Sequence, residues 1–101
     1  MIDFEQRTPS EIAADVATRV RKRRKELKLT QQQMARKAGM SLSSYKRFEQ
    51  KGLIALDSLI KIAIACDCEK DFDELFAKRR YSSIQEVIDE REASERRNRR
   101  R

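Results

Sequence analysis

The sequence predicts an all-α fold of five short helices followed by a charged tail, and three observations support this. Its 101 residues contain only two glycines and one proline, too few for the frequent turns of a β-sandwich or barrel. Apolar residues recur three and four positions apart along most of the chain before the tail, which is the spacing of one helix face. A chain of this length supports one small domain with a single core.

The composition also argues against several classes of protein. The longest apolar run, Ile62–Cys66, has five residues, whereas a membrane span needs about 20. The start, Met1–Glu5, lacks the basic and apolar segments of a signal peptide, so we expect a cytoplasmic protein. The chain has no histidine and two cysteines, too few for a disulfide scaffold or a structural zinc site.

Catalytic patterns are missing from the sequence as well. It contains no glycine-rich phosphate loop and no nucleophile–base pair at a recognisable spacing. We therefore expect no enzyme, no cofactor, no metal and no small-molecule substrate. The 24 Lys and Arg against 17 Asp and Glu give a formal net charge of +7, which favours nucleic acid as the partner.

The first predicted helix covers residues 10–28. Thr8-Pro9-Ser10-Glu11 is typical of a helix start, with Ser10 as the N-cap. The apolar stripe that follows consists of Ile12, Ala13, Val16, Ala17, Val20 and Leu27. Seven Lys and Arg lie between Arg19 and Lys28. They either are solvated cations that suit a helix C-terminus or form a flank that contacts phosphates.

The next two predicted helices, 31–38 and 42–51, are each bounded by a capping residue and a glycine. Ser and Thr are favoured N-caps, and glycine readily adopts the left-handed conformation past a helix end. In chain order these bounding residues are Thr30, Gly39, Ser41 and Gly52.

A fourth helix, 56–66, is mostly apolar, and the spacing of Phe72, Leu75 and Phe76 predicts a fifth over residues 70–78. The chain then turns polar, and its last six residues contain five arginines. Such a block repels itself. We therefore expect an N-terminal arm (1–9), a helical domain (10–78) and a charged tail (79–101) that is helical or disordered.

Residues 30–52 have the spacing of a helix-turn-helix. Ala35 and Ala38 are small enough for two helices to cross closely, and Tyr45 and Phe48 anchor the second helix in the core. Its opposite face is short, polar and basic, as a helix that reads the DNA major groove requires. That face carries Leu42, Ser43, Ser44, Lys46, Arg47 and Gln50.

Here the chain resembles the XRE-type helix-turn-helix regulators, the family of the lambdoid phage repressors and Cro. The resemblance runs from about Val20 to Leu75. Its carriers are Leu29-Thr30-Gln31, Met34-Ala35, Ala38-Gly39, Ser41, Phe48-Glu49, Gly52, Leu56, Leu59 and Ile62-Ala63. The resemblance implies a five-helix, lambda-repressor-like domain that binds an inverted-repeat operator as a homodimer in the cytoplasm, associated with the nucleoid.

Carried over residue by residue, the resemblance implies distinct sites. The base-reading residues would be Leu42, Ser43, Lys46 and Arg47. The phosphate-contacting residues would be Gln31, Ser41, Ser44, Tyr45 and Lys51. An ion pair between the first and third helices would join Arg24 and Glu49. The dimer interface would contain Phe72, Leu75 and Phe76, although these side chains could instead close the core.

The chain departs from the family pattern at two positions. Arg23 stands where an apolar residue is common. Tyr45 stands where Ile or Val is common, and its hydroxyl could reach a phosphate.

Two segments, Ser41–Glu49 and Asp71–Phe76, further resemble the HipB-type antitoxins, which are encoded beside HipA-like serine/threonine kinase toxins and repress their own operons. This implies an autoregulating antitoxin whose partner is such a kinase, with or without accessory subunits, and the tail 82–101 is the candidate contact. The alternatives are a stand-alone repressor of the phage or restriction-controller type, and a module that binds RNA or protein through its basic tails.

Overall fold

The computed structural model describes residues 7–79 and 84–99, and all regular secondary structure within these ranges is helical. The elements are α1 (Pro9–Glu26), α2 (Gln31–Ala38), α3 (Leu42–Lys51), α4 (Leu56–Ala65), a 3-10 helix (Glu69–Asp73) and α5 (Ile84–Arg99). The predicted all-α class is therefore confirmed. None of the described helices is both long and apolar enough to span a membrane.

Parts of three predictions lie outside the described residues. The residues concerned are most of the N-terminal arm (1–6), four residues near the beginning of the charged tail (80–83) and the last two arginines (100–101).

Local capping explains where α1 and α2 begin. The N-cap of α1 is Thr8, not Ser10 as predicted: its hydroxyl accepts the Glu11 N–H at 3.1 Å. Pro9 occupies the first helical position, where no N–H partner is needed. At α2, Thr30 and Gln33 form a reciprocal capping box with hydrogen bonds of 3.0 and 2.8 Å.

The predicted fifth helix over residues 70–78 is wrong in type and length. The chain forms only the 3-10 helix Glu69–Asp73, and Phe76 has a φ of 60°, which an α-helix cannot accommodate. Leu75 is 52% and Phe76 96% exposed. Because short helices are stabilised mainly by burying an apolar face, this segment lacks the packing that would extend it.

The core lies between the first four helices. α1 packs on α3, and α2 packs on both α3 and α4. The largest fully buried side chains are Met34, Tyr45, Phe48 and Ile62, and the rings of Tyr45 and Phe48 meet edge to face with centroids 6.3 Å apart. Ala35 and Ala38 are also buried, so α2 approaches its neighbours closely. This packing fixes which side of α3 faces outward.

Gly52 and Gly39 provide a matched pair for testing the turn after α3. Both adopt a left-handed φ, of 70° and 68°. A Cβ on Gly52 would lie 2.9 Å from the backbone of Ala13 in α1, whereas a Cβ on Gly39 would meet open space.

We expect Gly39→Ala to lower the free energy of unfolding by about 1 to 2 kcal/mol, the cost of a left-handed non-glycine residue. Gly52→Ala should lower it by about 1 to 3 kcal/mol more, because α1 must also move. Urea denaturation of both variants measures the difference, and equal losses would contradict the close approach of Gly52 to α1.

Candidate DNA-binding interface

α3 has one buried and one exposed side. Tyr45 and Phe48 point into the core. Ser43, Lys46 and Arg47 are exposed, and Leu42 is half-buried. Residues three and four positions apart share one face of a helix, so the four side chains predicted to read bases lie together on the outer face of α3.

The ends of α3 carry further predicted phosphate contacts. The Ser41 hydroxyl caps the helix by accepting the Ser44 N–H at 3.1 Å, and the two serine hydroxyls are 2.8 Å apart. Lys51 is exposed in the last turn. All three side chains remain accessible beside the base-reading face, and their contact with phosphate stays a prediction.

A buried ion pair holds α3 against α1. The predicted pair is present: Arg24 Nε and Nη2 donate to the two carboxylate oxygens of Glu49 at 2.8 and 3.2 Å. Arg24 Nη1 donates to the Leu29 carbonyl oxygen at 2.8 Å. The two side chains are only 10% and 4% exposed. One guanidinium therefore fixes α3 and the turn before α2 to the same point on α1.

Gln31 joins this group from α2. Its Nε2 donates to Glu49 Oε1 at 3.1 Å, a contact that the sequence did not predict because no local pattern links residues 18 positions apart. Gln31 is the first residue of α2, where backbone N–H groups have no partner within the helix and suit an anion. Glu49 thus orients the residue that is predicted to contact a phosphate.

The assignment of Tyr45 as a phosphate contact is wrong. The residue is fully buried, because it occupies an inward position of α3. Its Oη has no hydrogen-bond partner of regular geometry among the described residues, although it lies close enough to Glu49 and Arg24 to interact electrostatically. Burial, followed by the neighbouring Glu49 carboxylate, raises the pKa of the Tyr45 hydroxyl, so this group is neutral at physiological pH.

The same network keeps Glu49 ionised. Burial acts to raise the pKa of Glu49, but the hydrogen bonds from Arg24 and Gln31, together with the electrostatic effect of the nearby Tyr45 hydroxyl, outweigh it, and the pKa is lowered overall. The pKa of Arg24 is raised, chiefly by its hydrogen bonds to Glu49. The pair is therefore fully charged at neutral pH.

The residues predicted to form a dimer interface lie away from α3. Phe72 belongs to the 3-10 helix and is half-buried, whereas Leu75 and Phe76 are exposed. Within one chain, Leu75 and Phe76 therefore do not close the core, and their role in a dimer remains a prediction.

Comparison with known proteins agrees with this geometry. The HTH_3 helix-turn-helix family matches residues 20–72, about half of the chain. The chain belongs to the HTH_3 family. The matched residues include α2 and α3, and therefore the helix-turn-helix and the exposed face of α3.

One curated relative is a transcriptional repressor. The chain is 38% identical over 74 residues to the cryptic phage CTXphi transcriptional repressor RstR of Vibrio cholerae serotype O1 (strain ATCC 39315 / El Tor Inaba N16961). The match covers 72% of this chain and 64% of that protein.

Removing Arg24 tests the buried pair. Arg24→Met leaves the Glu49 carboxylate buried without its main partner, so we expect a loss of about 3 to 5 kcal/mol in the free energy of unfolding. Arg24→Met combined with Glu49→Met should recover most of that loss, because no unpaired charge is left. Urea denaturation of the two variants at pH 7 measures both effects.

The pH dependence of the free energy of unfolding should also have opposite signs in the native protein and in Arg24→Met. In the native protein the pKa of Glu49 is lowered, so its stabilising contribution is present above its unfolded pKa of about 4.3 and is lost as pH falls through the folded value. In Arg24→Met, burial should raise that pKa, so stability should be greater at low pH and decline as pH rises through the raised value. Parallel pH profiles of the two proteins between about pH 3 and 7 would refute this account.

Proposed function

We propose that the protein is a sequence-specific transcriptional repressor that binds operator DNA as a homodimer. The observation that carries the proposal is the outer face of α3, where Lys46 and Arg47 are exposed on a helix that the Arg24–Glu49 pair holds in place. A short helix presented in this way fits the major groove of B-DNA.

The outer face supplies the chemistry for reading bases. The Arg47 guanidinium can donate two hydrogen bonds to O6 and N7 of a guanine, which discriminates against other bases by about 1 to 3 kcal/mol. Leu42 can contact the methyl group of a thymine. Lys46 and Ser43 complete the set with one charged and one neutral donor.

Other groups supply affinity without sequence preference. The N-terminus of α2 and the Gln31 amide face a backbone phosphate in this arrangement. Lys51, at the end of α3, and the exposed basic residues near the end of α1 (Arg21, Lys22 and Lys25) add electrostatic attraction that salt weakens. A homodimer would set two copies of α3 roughly 34 Å apart, one turn of DNA, on an inverted repeat.

Two versions of this function differ in their partner. A stand-alone repressor is favoured by the phage repressor relative. The antitoxin version depends on the likeness of Ser41–Glu49 and Asp71–Phe76 to HipB-type proteins and requires a HipA-like kinase toxin. Purification from the native host distinguishes them: a kinase that copurifies in stoichiometric amount supports the antitoxin, and a regulator recovered alone on its operator supports the stand-alone repressor.

Selection of binding sites from random duplex DNA, followed by titration, tests the DNA-binding proposal. We expect Arg47→Ala to lose discrimination at one base pair by about 10- to 100-fold, because its guanine contact is specific. Gln31→Ala should weaken binding to operator and random DNA by similar factors, because phosphate contacts carry no base information.

Lys70→Ala is the matched control, since it removes one positive charge from the 3-10 helix rather than from α3. It should leave base preference unchanged. Because Gln31→Ala also removes a hydrogen bond to Glu49, its folded state is checked by circular dichroism. Equal losses on operator and random DNA for Arg47→Ala would overturn the assignment of α3 as the base-reading helix.

A further inference from the structure

The fourth helix, α4, carries apolar side chains on its outer side as well as in the core. Ile62 and Ala63 are buried, where α4 packs on α2 and the 3-10 helix. Leu56, Ile60 and Ile64 follow one another at four-residue intervals along one face of the helix, and we call them the α4 stripe. Leu56 is 63% and Ile64 59% exposed, and Ile60 is half-buried. Single exposed apolar residues are ordinary, whereas a contiguous row of them marks a contact surface.

One edge of the α4 stripe is charged. Asp57 and Lys61 each come one position after a stripe residue, so both lie on the same edge, and both are exposed. The other edge turns towards the body of the domain through Leu59 and Ala63. Asp57 Oδ1 accepts the Ser58 N–H at 2.9 Å, but neither charge forms a salt bridge with another of the described residues. One acidic and one basic group therefore lie ready on this edge for opposite charges of a partner.

A twofold axis through Ile60, perpendicular to α4, brings two copies of this surface into register. The two helices then run antiparallel, so Leu56 of one copy lies level with Ile64 of the other, and the two Ile60 side chains meet at the axis. The axis also keeps the charged edges of both copies on the same side. With a rise of about 1.5 Å per residue, Asp57 of one copy is offset by only about 3 Å along the helix axis from Lys61 of the other.

We propose that the α4 stripe is the contact surface between two copies of the protein, packed antiparallel about Ile60. A second copy fits this surface because the stripe has leucine or isoleucine at all three positions in either direction, and because the twofold axis pairs both acidic groups with both basic groups at once. This inference rests on the homodimer of the proposed function. It assigns the interface to α4 rather than to the residues that the family resemblance implies.

The size of the stripe sets the strength of this contact. From Leu56 to Ile64 it is about 12 Å long, which is short beside the interfaces of permanent dimers. We therefore expect a dimer that is weak in free solution and that forms fully when two copies occupy neighbouring half-sites on DNA, where their effective concentration is high.

Disulfide crosslinking tests the register. All variants carry Cys66→Ala and Cys68→Ala to remove the native thiols, and circular dichroism checks their folding. Oxidised glutathione accepts the two electrons and two protons of each disulfide formed. Ile60→Cys should give a covalent homodimer, because the two side chains meet at the axis. Leu56→Cys is the matched control and should give at least 10-fold less, although residue 56 is the more exposed, because its two copies lie about 12 Å apart along the helix.

Mixtures of two variants, one of them enlarged by a tag, complete the crosslinking test. Leu56→Cys mixed with Ile64→Cys should form a heterodimer about as efficiently as Ile60→Cys forms a homodimer. Equal homodimer yields from Ile60→Cys and Leu56→Cys indicate random collision and overturn the inference. Preferred pairing of Ile60→Cys with Ile88→Cys also overturns it, because α5 then covers the stripe.

Charge reversal tests the edge of the stripe by analytical ultracentrifugation. Lys61→Glu places like charges opposite Asp57 of the partner, and Asp57→Lys does the same opposite Lys61, so each variant alone should raise the dimer dissociation constant about 10-fold or more. An equimolar mixture of the two should recover dimers, because an acidic edge then meets a basic edge. Lys70→Glu, which makes the same charge change on the 3-10 helix, is the control. A dimer that is unchanged in both α4 variants overturns the inference.

The oligomeric state on DNA separates this inference from the proposed function. A native protein that selects an inverted repeat and binds it as a dimer, with the dimer retained in Ile60→Glu but lost in Phe76→Glu, refutes the α4 contact in favour of the interface implied by the resemblance and leaves the repressor intact. Failure of the native protein to select any DNA sequence refutes the proposed function instead, whatever the crosslinks show.

Discussion

The bidentate pair between Arg24 and Glu49 is the interaction on which the DNA-binding half of the molecule depends. It joins α1 to α3 directly, reaches the turn before α2 through the Leu29 carbonyl oxygen, and reaches α2 itself through Gln31. The free energy lost when two charges are removed from water offsets much of the free energy gained from their attraction. The main consequence of the pair is therefore geometric: three helices and one turn meet at a single planar contact.

The apolar core acts together with this contact. Ala35 and Ala38 bring α2 close to its neighbours, and Tyr45 and Phe48 set the rotation of α3 about its own axis. Rotation and position are separate constraints, since packing alone permits sliding whereas a two-point hydrogen-bonded contact does not. Base readout requires both the rotation and the position of the helix to be fixed to within a fraction of an ångström, because each donor must meet its acceptor at about 2.9 Å.

Local signals predicted most of the fold, and long-range contacts account for what they missed. Thr30, Gly39, Ser41 and Gly52 act through neighbours in the chain, so the bounds of α2 and α3 follow from sequence alone. Periodicity around Phe72 suggested a helix over residues 70–78, but periodicity does not tell whether a body exists to bury the apolar face.

The candidate site divides in the same way. The outer face of α3 follows from helical spacing, and the Arg24–Glu49 pair follows from the family resemblance. The Gln31–Glu49 contact, by contrast, depends on how two helices cross. Tyr45 was misassigned because a hydroxyl suggests a polar role, whereas its register on α3 dictates burial. The apolar spacing already defines this register, so register predicts the burial of Tyr45 better than its side-chain chemistry does.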